Sequence, residues 1–246
     1  MKIFLIVLSF IMTFGELSDS VVLEKMRGFA VPAVTINDAT LYDGIDKSDK
    51  PCATLPKESY VEVFEDYSLK WYLISDVVTG VSGWVKAEDL QILSFPELRD
   101  DKITKEELER YAVLMDFDSK TDFLVVVDTS RQKVHVFRRK KEKWTLVKSF
   151  PCSTGKNISP TIKGNYQMQE RGEWFYSDRL GSGAQYWIRF RGAYLFHSRA
   201  MDKNKNVLPD GNEIGERVSN GCVRLYEDDA KWLYLNTPDK TAVFIN

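Results

Sequence analysis

Through most of the chain, apolar and polar positions alternate with a period of two, in runs of strand length separated by turn residues. Between residues 30 and 93 the runs are "AVTINDATLYDG", "PCATLPKESYVEVFED" and "KWYLISDVVTGVSGWVKAEDL". Their punctuation, Asp-Gly, Leu-Pro-Lys and Val-Ser-Gly, suits hairpins, and a segment so arranged closes into a small barrel. The period changes in "FPELRDDKITKEELERYAVLMDFDS". There Thr104 stands three residues before Glu107 as a capping box, and Leu108, Tyr111, Ala112 and Met115 share one helical face. One helix is predicted, linking two β units, with its charges on a solvated face. From Thr121 the strand pattern returns in "DFLVVVDTSRQKVHVFRRKKEKWTLVKSFPCSTGK", "PTIKGNYQMQER" and "AQYWIRFRGAYLFHS", followed by a short helix over 227–235 and the closing strand "TAVFIN". Crossover helices are nearly absent, so the fold class is mainly β, a largely antiparallel sandwich rather than a doubly wound α/β sheet. The basic cluster over 138–143 reads as a charged hairpin turn. His135, alternating with Val134 and Val136, is expected on a solvent-facing side.

Composition narrows this picture. With 43% apolar and 13% aromatic residues in 246, the chain can bury real cores. Its net charge is −2 with both signs interspersed, which leaves no basic stripe for nucleic acid. The start, "MKIFLIVLSFIMTFGELSDS", has Lys2, an apolar run over 3–14, and Thr13 and Gly15 as small residues before a cut. That is the layout of a secretory signal peptide, assigned to residues 1–15, and the run is short for a membrane span. An uncleaved anchor or a buried strand is the alternative. Export to the cell envelope is expected, in the periplasm or the wall.

Three cysteines, Cys52, Cys152 and Cys222, are an odd number for an exported chain, so at least one thiol stays unpaired within the monomer. Cys52 and Cys152 sit where Val or Ala would serve as well, and a bridge between them would join different domains and is not expected. Cys222 differs by context: in "RVSNGCVRLYEDDA" it follows an Asn-Gly pair and precedes a short apolar run and a helix start. One reading is a hairpin turn beside a small core hydrophobe. The other is a nucleophile, which acts as the thiolate and needs a base or dipole to form it. The chain offers two histidines as that base. His197 ends the apolar strand "AYLFHS" before a polar loop, whereas His135 lies within a strand.

Two resemblances organise these signals. Residues 31–94, ending in Gly83, Trp84, Val85 and Lys86, resemble a bacterial SH3-like domain, which implies a wall-binding or spacer module. Residues 95–119 form the helical linker. Residues 120–246 resemble the L,D-transpeptidase (YkuD-like) catalytic domain through "VVVDTSRQKVHVF", "CSTGK…SPTIKGNYQM", "GAYLFHS" and "SNGCVRL".

This second resemblance implies a β-sandwich in which Cys222 is the nucleophile and His197 the base, with Ser198 orienting the imidazole through its carbonyl. It implies Gly221 and Cys222 as N–H donors to an oxyanion. Arg224, Ser219 and Asn220 are expected to contact substrate, with Arg224 forking onto a stem carboxylate or else bridging Glu227 or Asp228. Tyr186 and Trp187 are candidates for the cleft. The implied reaction attacks peptidoglycan tetrapeptide stems, releases D-Ala and forms 3→3 cross-links. No metal or cofactor is called for, and a monomer is expected.

Two departures stand out. Asn220 occupies the place where the family most often has His, and 21 residues separate His197 from Ser219, an enlarged loop and candidate lid. An L,D-carboxypeptidase and a non-catalytic wall-binding protein with a degenerate site are the alternatives. Papain-like peptidases reverse the order of Cys and His, and sortases need a different strand end.

Overall fold

In the computed structural model, residues 18–246 are described, except 29–30, 46–49, 68–69, 95–96, 157–158 and 210–212. The expected signal peptide lies outside the described residues. The first element is one the hydropathy pattern did not announce, helix α1 (Asp19–Met26). Its Asp19 and Lys25 suit the two ends of the helix dipole, and Val22 and Met26, four residues apart, are buried on one face.

Seven short strands follow: β1 (Val31–Thr35), β2 (Ala39–Tyr42), β3 (Pro51–Leu55), β4 (Tyr60–Tyr67), β5 (Trp71–Asp76), β6 (Ser82–Lys86) and β7 (Leu90–Ile92). They form one sheet in the order β3-β2-β6-β5-β4-β1-β7, and all its pairs are antiparallel. Alternate residues such as Val31, Ala33, Leu41, Ile74 and Val85 close on a core of their own.

Helix α2 (Lys105–Leu114) starts where the capping box predicts. The Thr104 side chain accepts from Glu107 N–H at 3.1 Å, and the Glu107 carboxylate accepts from Thr104 N–H at 2.8 Å. Leu108, Tyr111 and Ala112 are buried as expected, but Met115 is not: it is the C-cap and 38% exposed.

The remaining strands are β8 (Phe123–Asp128), β9 (Lys133–Lys140), β10 (Lys143–Pro151), β11 (Thr154–Gly155), β12 (Gly164–Gln167), β13 (Arg171–Ser177), β14 (Ser182–Arg191), β15 (Tyr194–Ser198), β16 (Arg217–Ser219), β17 (Val223–Leu225) and β18 (Ala242–Ile245), with helix α3 (Glu227–Asn236) before the last. They build a five-stranded sheet, β10-β9-β8-β18-β12, a four-stranded sheet, β13-β14-β15-β17, and the small pair β11-β16. Val125, Val127, Val134 and Val136 of the first sheet pack on Ile188, Phe190, Phe196, Val223 and Leu225 of the second. The opposite face of the first sheet presents Leu124, Val126, Phe137 and Trp144 to α1 and α2. Because both faces of β8 are covered, it reads as the unbroken run "FLVVV" rather than as an alternation.

Most pairings are antiparallel, as expected, but β8–β18, β15–β17 and β11–β16 are parallel. The β9–β10 hairpin turns on Lys141 and Glu142, both at positive φ, as a two-residue type I′ loop requires. His135 departs from its expected solvent-facing place. It shares the helix-covered face with Phe137 and is only 5% exposed.

Candidate active site

His197 is carried by β15, between β14 and β17. Parallel pairing sets Phe196 opposite Val223, His197 opposite Arg224 and Ser198 opposite Leu225. Phe196, Val223 and Leu225 are fully buried in the sandwich core. Alternation therefore puts His197 and Arg224 together on the other face. His197 Nδ1 donates to the Ser198 carbonyl at 2.6 Å, which leaves Nε2 as the ring's proton acceptor. Phe175 of β13 meets the imidazole edge to face, with centroids 6.1 Å apart. Burial lowers the His197 pKa to about 4, the Arg224 guanidinium pushes the same way, and only the Ser198 carbonyl opposes them. The imidazole is neutral at physiological pH.

Cys222 follows a tight turn between β16 and β17. Gly221 sits at φ +103°, and a Cβ there would stand 2.2 Å from the Tyr194 ring, so both conformation and packing require glycine. Ser219 Oγ spans the turn, accepting from Gly221 N–H at 3.0 Å and donating to the Cys222 carbonyl at 2.6 Å. Thr161 Oγ donates to the Gly221 carbonyl and accepts from Gly155 N–H, each at 2.8 Å. The sulfur receives the Leu195 backbone N–H and lies 3.7 Å from the Ala193 carbonyl. Cys222 keeps part of its surface open to solvent. Even so, the protein around the sulfur desolvates it and raises the thiol pKa, against the opposing pull of Leu195 N–H, Arg224 and Arg189. Desolvation thus favours a neutral thiol at Cys222 and a neutral imidazole at His197.

Several expected roles change in this light. Ser219 is 1% exposed and both its hydroxyl bonds lie within the turn, so it shapes the turn and is closed to substrate. Gly221 N–H is already taken by Ser219, which removes it from the expected oxyanion pair. Asn220 is exposed at the tip of the turn. Glu227 is held by Arg199, at 3.1 and 2.8 Å, and so is not the ion-pair partner of Arg224. Cys52, Cys152 and Cys222 are all free thiols, Cys152 fully buried. Tyr186, at φ +53°, breaks the alternation of β14 and packs on Tyr234 of α3. Trp187 packs on Phe175, the ring that touches His197. Among the described residues no group of three or more His, Cys, Asp or Glu forms a metal-ligand set.

Ser153 emerges as a residue whose part the sequence did not disclose. Its backbone exchanges bonds with Arg224 at 2.9 and 2.8 Å. Its hydroxyl donates to the Glu213 carbonyl and accepts from Gly215 and Glu216 N–H. The end of the enlarged loop is thereby pinned beside the site. At the loop's other end Met201 bridges Gly183 and Val207, and Lys203 pairs with Asp178.

Comparison with known proteins accords with this geometry. Residues 122–245 match the model of the L,D-transpeptidase catalytic domain, YkuD. Over 124 residues the chain is 36% identical to YciB of Bacillus subtilis (strain 168), whose name carries L,D-transpeptidase as a provisional assignment; the match covers 49% of this chain and 63% of that protein. Among solved structures, a fused Zn-dependent amidase/peptidase/peptidoglycan-binding domain-containing protein from Clostridium acetobutylicum is 27% identical, with a TM-score of 0.47, over 61% of this chain and 65% of its own. An L,D-transpeptidase from Stackebrandtia nassauensis is 22% identical, with a TM-score of 0.42, over 53% and 58%. With half of its length matched by the family model, the chain belongs to the YkuD family of L,D-transpeptidase catalytic domains.

Proposed function

We propose that the protein is a cysteine-dependent peptidoglycan L,D-transpeptidase that joins stem peptides by 3→3 cross-links. The observation that carries this reading is the tautomer lock on His197: its Nδ1–H is held by the Ser198 carbonyl, so Nε2 is the acceptor for the Cys222 proton. As the thiol gives its proton to Nε2, sulfur attacks the carbonyl carbon between the third residue of a tetrapeptide stem and its terminal D-Ala. The Cys222 N–H is the oxyanion donor, since Gly221 N–H is engaged. Leu195 N–H and the Arg224 charge favour the sulfur anion. Collapse breaks the C–N bond, and the D-Ala nitrogen takes the proton from Nε2, leaving a thioester on Cys222. An acceptor stem's side-chain amine then loses its proton to Nε2, attacks the thioester carbonyl and forms the new amide, and the thiol recovers its proton. Such an enzyme works in the cell envelope, where its substrate is, with the N-terminal sheet as a wall-binding unit.

The test is intact-mass spectrometry of the protein incubated with disaccharide tetrapeptide. The expected result is an adduct on Cys222, released D-Ala and cross-linked dimer, with Cys222→Ala abolishing all three. Tripeptide without dimer would make it an L,D-carboxypeptidase. Activity surviving in Cys222→Ala would overturn the nucleophile.

A further inference from the structure

The second histidine has no part in this chemistry. His135 Nδ1 meets Ser149 Oγ at 2.9 Å across the β9–β10 ladder, while its Nε2 is buried with no partner. An unsatisfied group of that kind costs roughly 1–3 kcal/mol. The imidazole forms part of the wall of a cavity of about 480 Å³, enclosed by residues 99–103, the start of α2 and the β9–β10 hairpin. That volume falls in the range of small-molecule sites. None of its wall comes from β15, β16 or β17.

Charge in this cavity is unbalanced. Arg131 is committed to Asp101 and Asp128, Arg99 donates to the Lys25 carbonyl, and Lys105 faces Glu109. Lys102 and Lys133 line the same wall and have no ion-pair partner among the described residues. Against them stands the exposed carboxylate of Asp100. Ile103, Leu108 and Leu146 supply an apolar side.

We propose that this cavity is a second ligand site, distinct from the Cys222 site, which takes a phosphate monoester borne on a compact apolar group. Two ammonium groups match the charge of a phosphate dianion. With Ser149 O–H donating to Nδ1, the neutral imidazole carries its proton on Nε2 and donates it to a phosphate oxygen. The apolar group lies against Ile103, Leu108 and Leu146.

The chain's two histidines make the test direct. Histidine-labelled full-length protein is titrated with phenyl phosphate and followed by NMR, with His135→Gln assigning the resonances. Saturable shifts at His135 and none at His197 are expected. Binding should weaken at least tenfold in Lys102→Glu/Lys133→Glu, whose unchanged His197 resonance reports an intact fold. Inorganic phosphate and phenol should each bind at least tenfold more weakly than phenyl phosphate. No saturable shift, a shift centred on His197, affinity unchanged in the double variant, or inorganic phosphate matching phenyl phosphate would each overturn the proposal. Because the readout is binding at His135, it is independent of whether Cys222 acylates.

Discussion

At the scale of the residue, desolvation sets the resting state of both Cys222 and His197. Burial raises the thiol and lowers the imidazole to about 4, so between pH 6 and 8 both are neutral, and in the proposed mechanism the thiolate forms only as the proton moves. Alkylation depends on the thiolate fraction. In a Cys52→Ser background, which removes the exposed thiol, iodoacetamide should therefore modify Cys222 about tenfold faster per pH unit from 6 to 8. A plateau in that window would mean a preformed thiolate–imidazolium pair. The two candidate residues were legible in the sequence because each ends or begins an apolar run at a polar junction. Their supports were not. Thr161 reaches Gly221, and Ser153 reaches Glu213, across 60 positions, and no local period records such a contact. His135 was misplaced for a related reason: alternation separates two faces but does not say that both are covered, one by the second sheet and the other by helices.

At the scale of the element, α2 shows local and tertiary signals agreeing. Its capping box satisfies two backbone N–H groups, and Glu107 also binds Lys25 of α1 at 2.5 Å. Thr104→Ala removes one capping bond and should cost about 1 kcal/mol, read from the midpoint of urea unfolding; an unchanged midpoint would show that packing alone holds the helix. The hairpins were readable from turn residues, and so was the capped helix. Helix α1 escaped because it has no side-chain cap and only two buried residues, Val22 and Met26, four positions apart. The parallel pairs escaped for another reason. Runs as short as β16 and β17, three residues each, carry no signal of direction.

At the scale of the whole molecule, two buried neutral histidines tie stability to pH. His135 and His197 have pKa values near 4 in the fold against an ordinary 6.5. Below 6.5 the unfolded chain takes up protons that the folded one refuses until about pH 4. Stability is thus full above 6.5 and declines as pH falls towards 4, by about 3 kcal/mol per histidine. The urea midpoint should drop from pH 7.5 to 5, and His135→Gln should flatten the slope by about half; a pH-independent midpoint would show that the imidazoles are not held neutral. The chain path adds a second consequence. Among the described residues, α1 packs on the sheet of the family-matched region, the path then leaves to build the seven-stranded sheet with its separate core, and it returns at Arg99. Exit and return lie together: Arg99 and Arg131 both donate to the Lys25 carbonyl, at 2.7 and 3.0 Å. Asn246 Nδ2 donates to the Met26 carbonyl at 2.6 Å, so α1 also clasps the last residue. Helix α1 therefore packs with the sheet of the family-matched region although it precedes the seven-stranded sheet in the chain. Replacing residues 30–93 by a short Gly-Ser linker should leave folding and acylation of Cys222 intact. Deleting 18–93 also strips Val22 and Met26 from the core, worth roughly 1.5–3 kcal/mol each, together with the Lys25–Glu107 pair. That variant should melt well below the first, and equal melting temperatures for the two deletions would detach α1 from the catalytic unit.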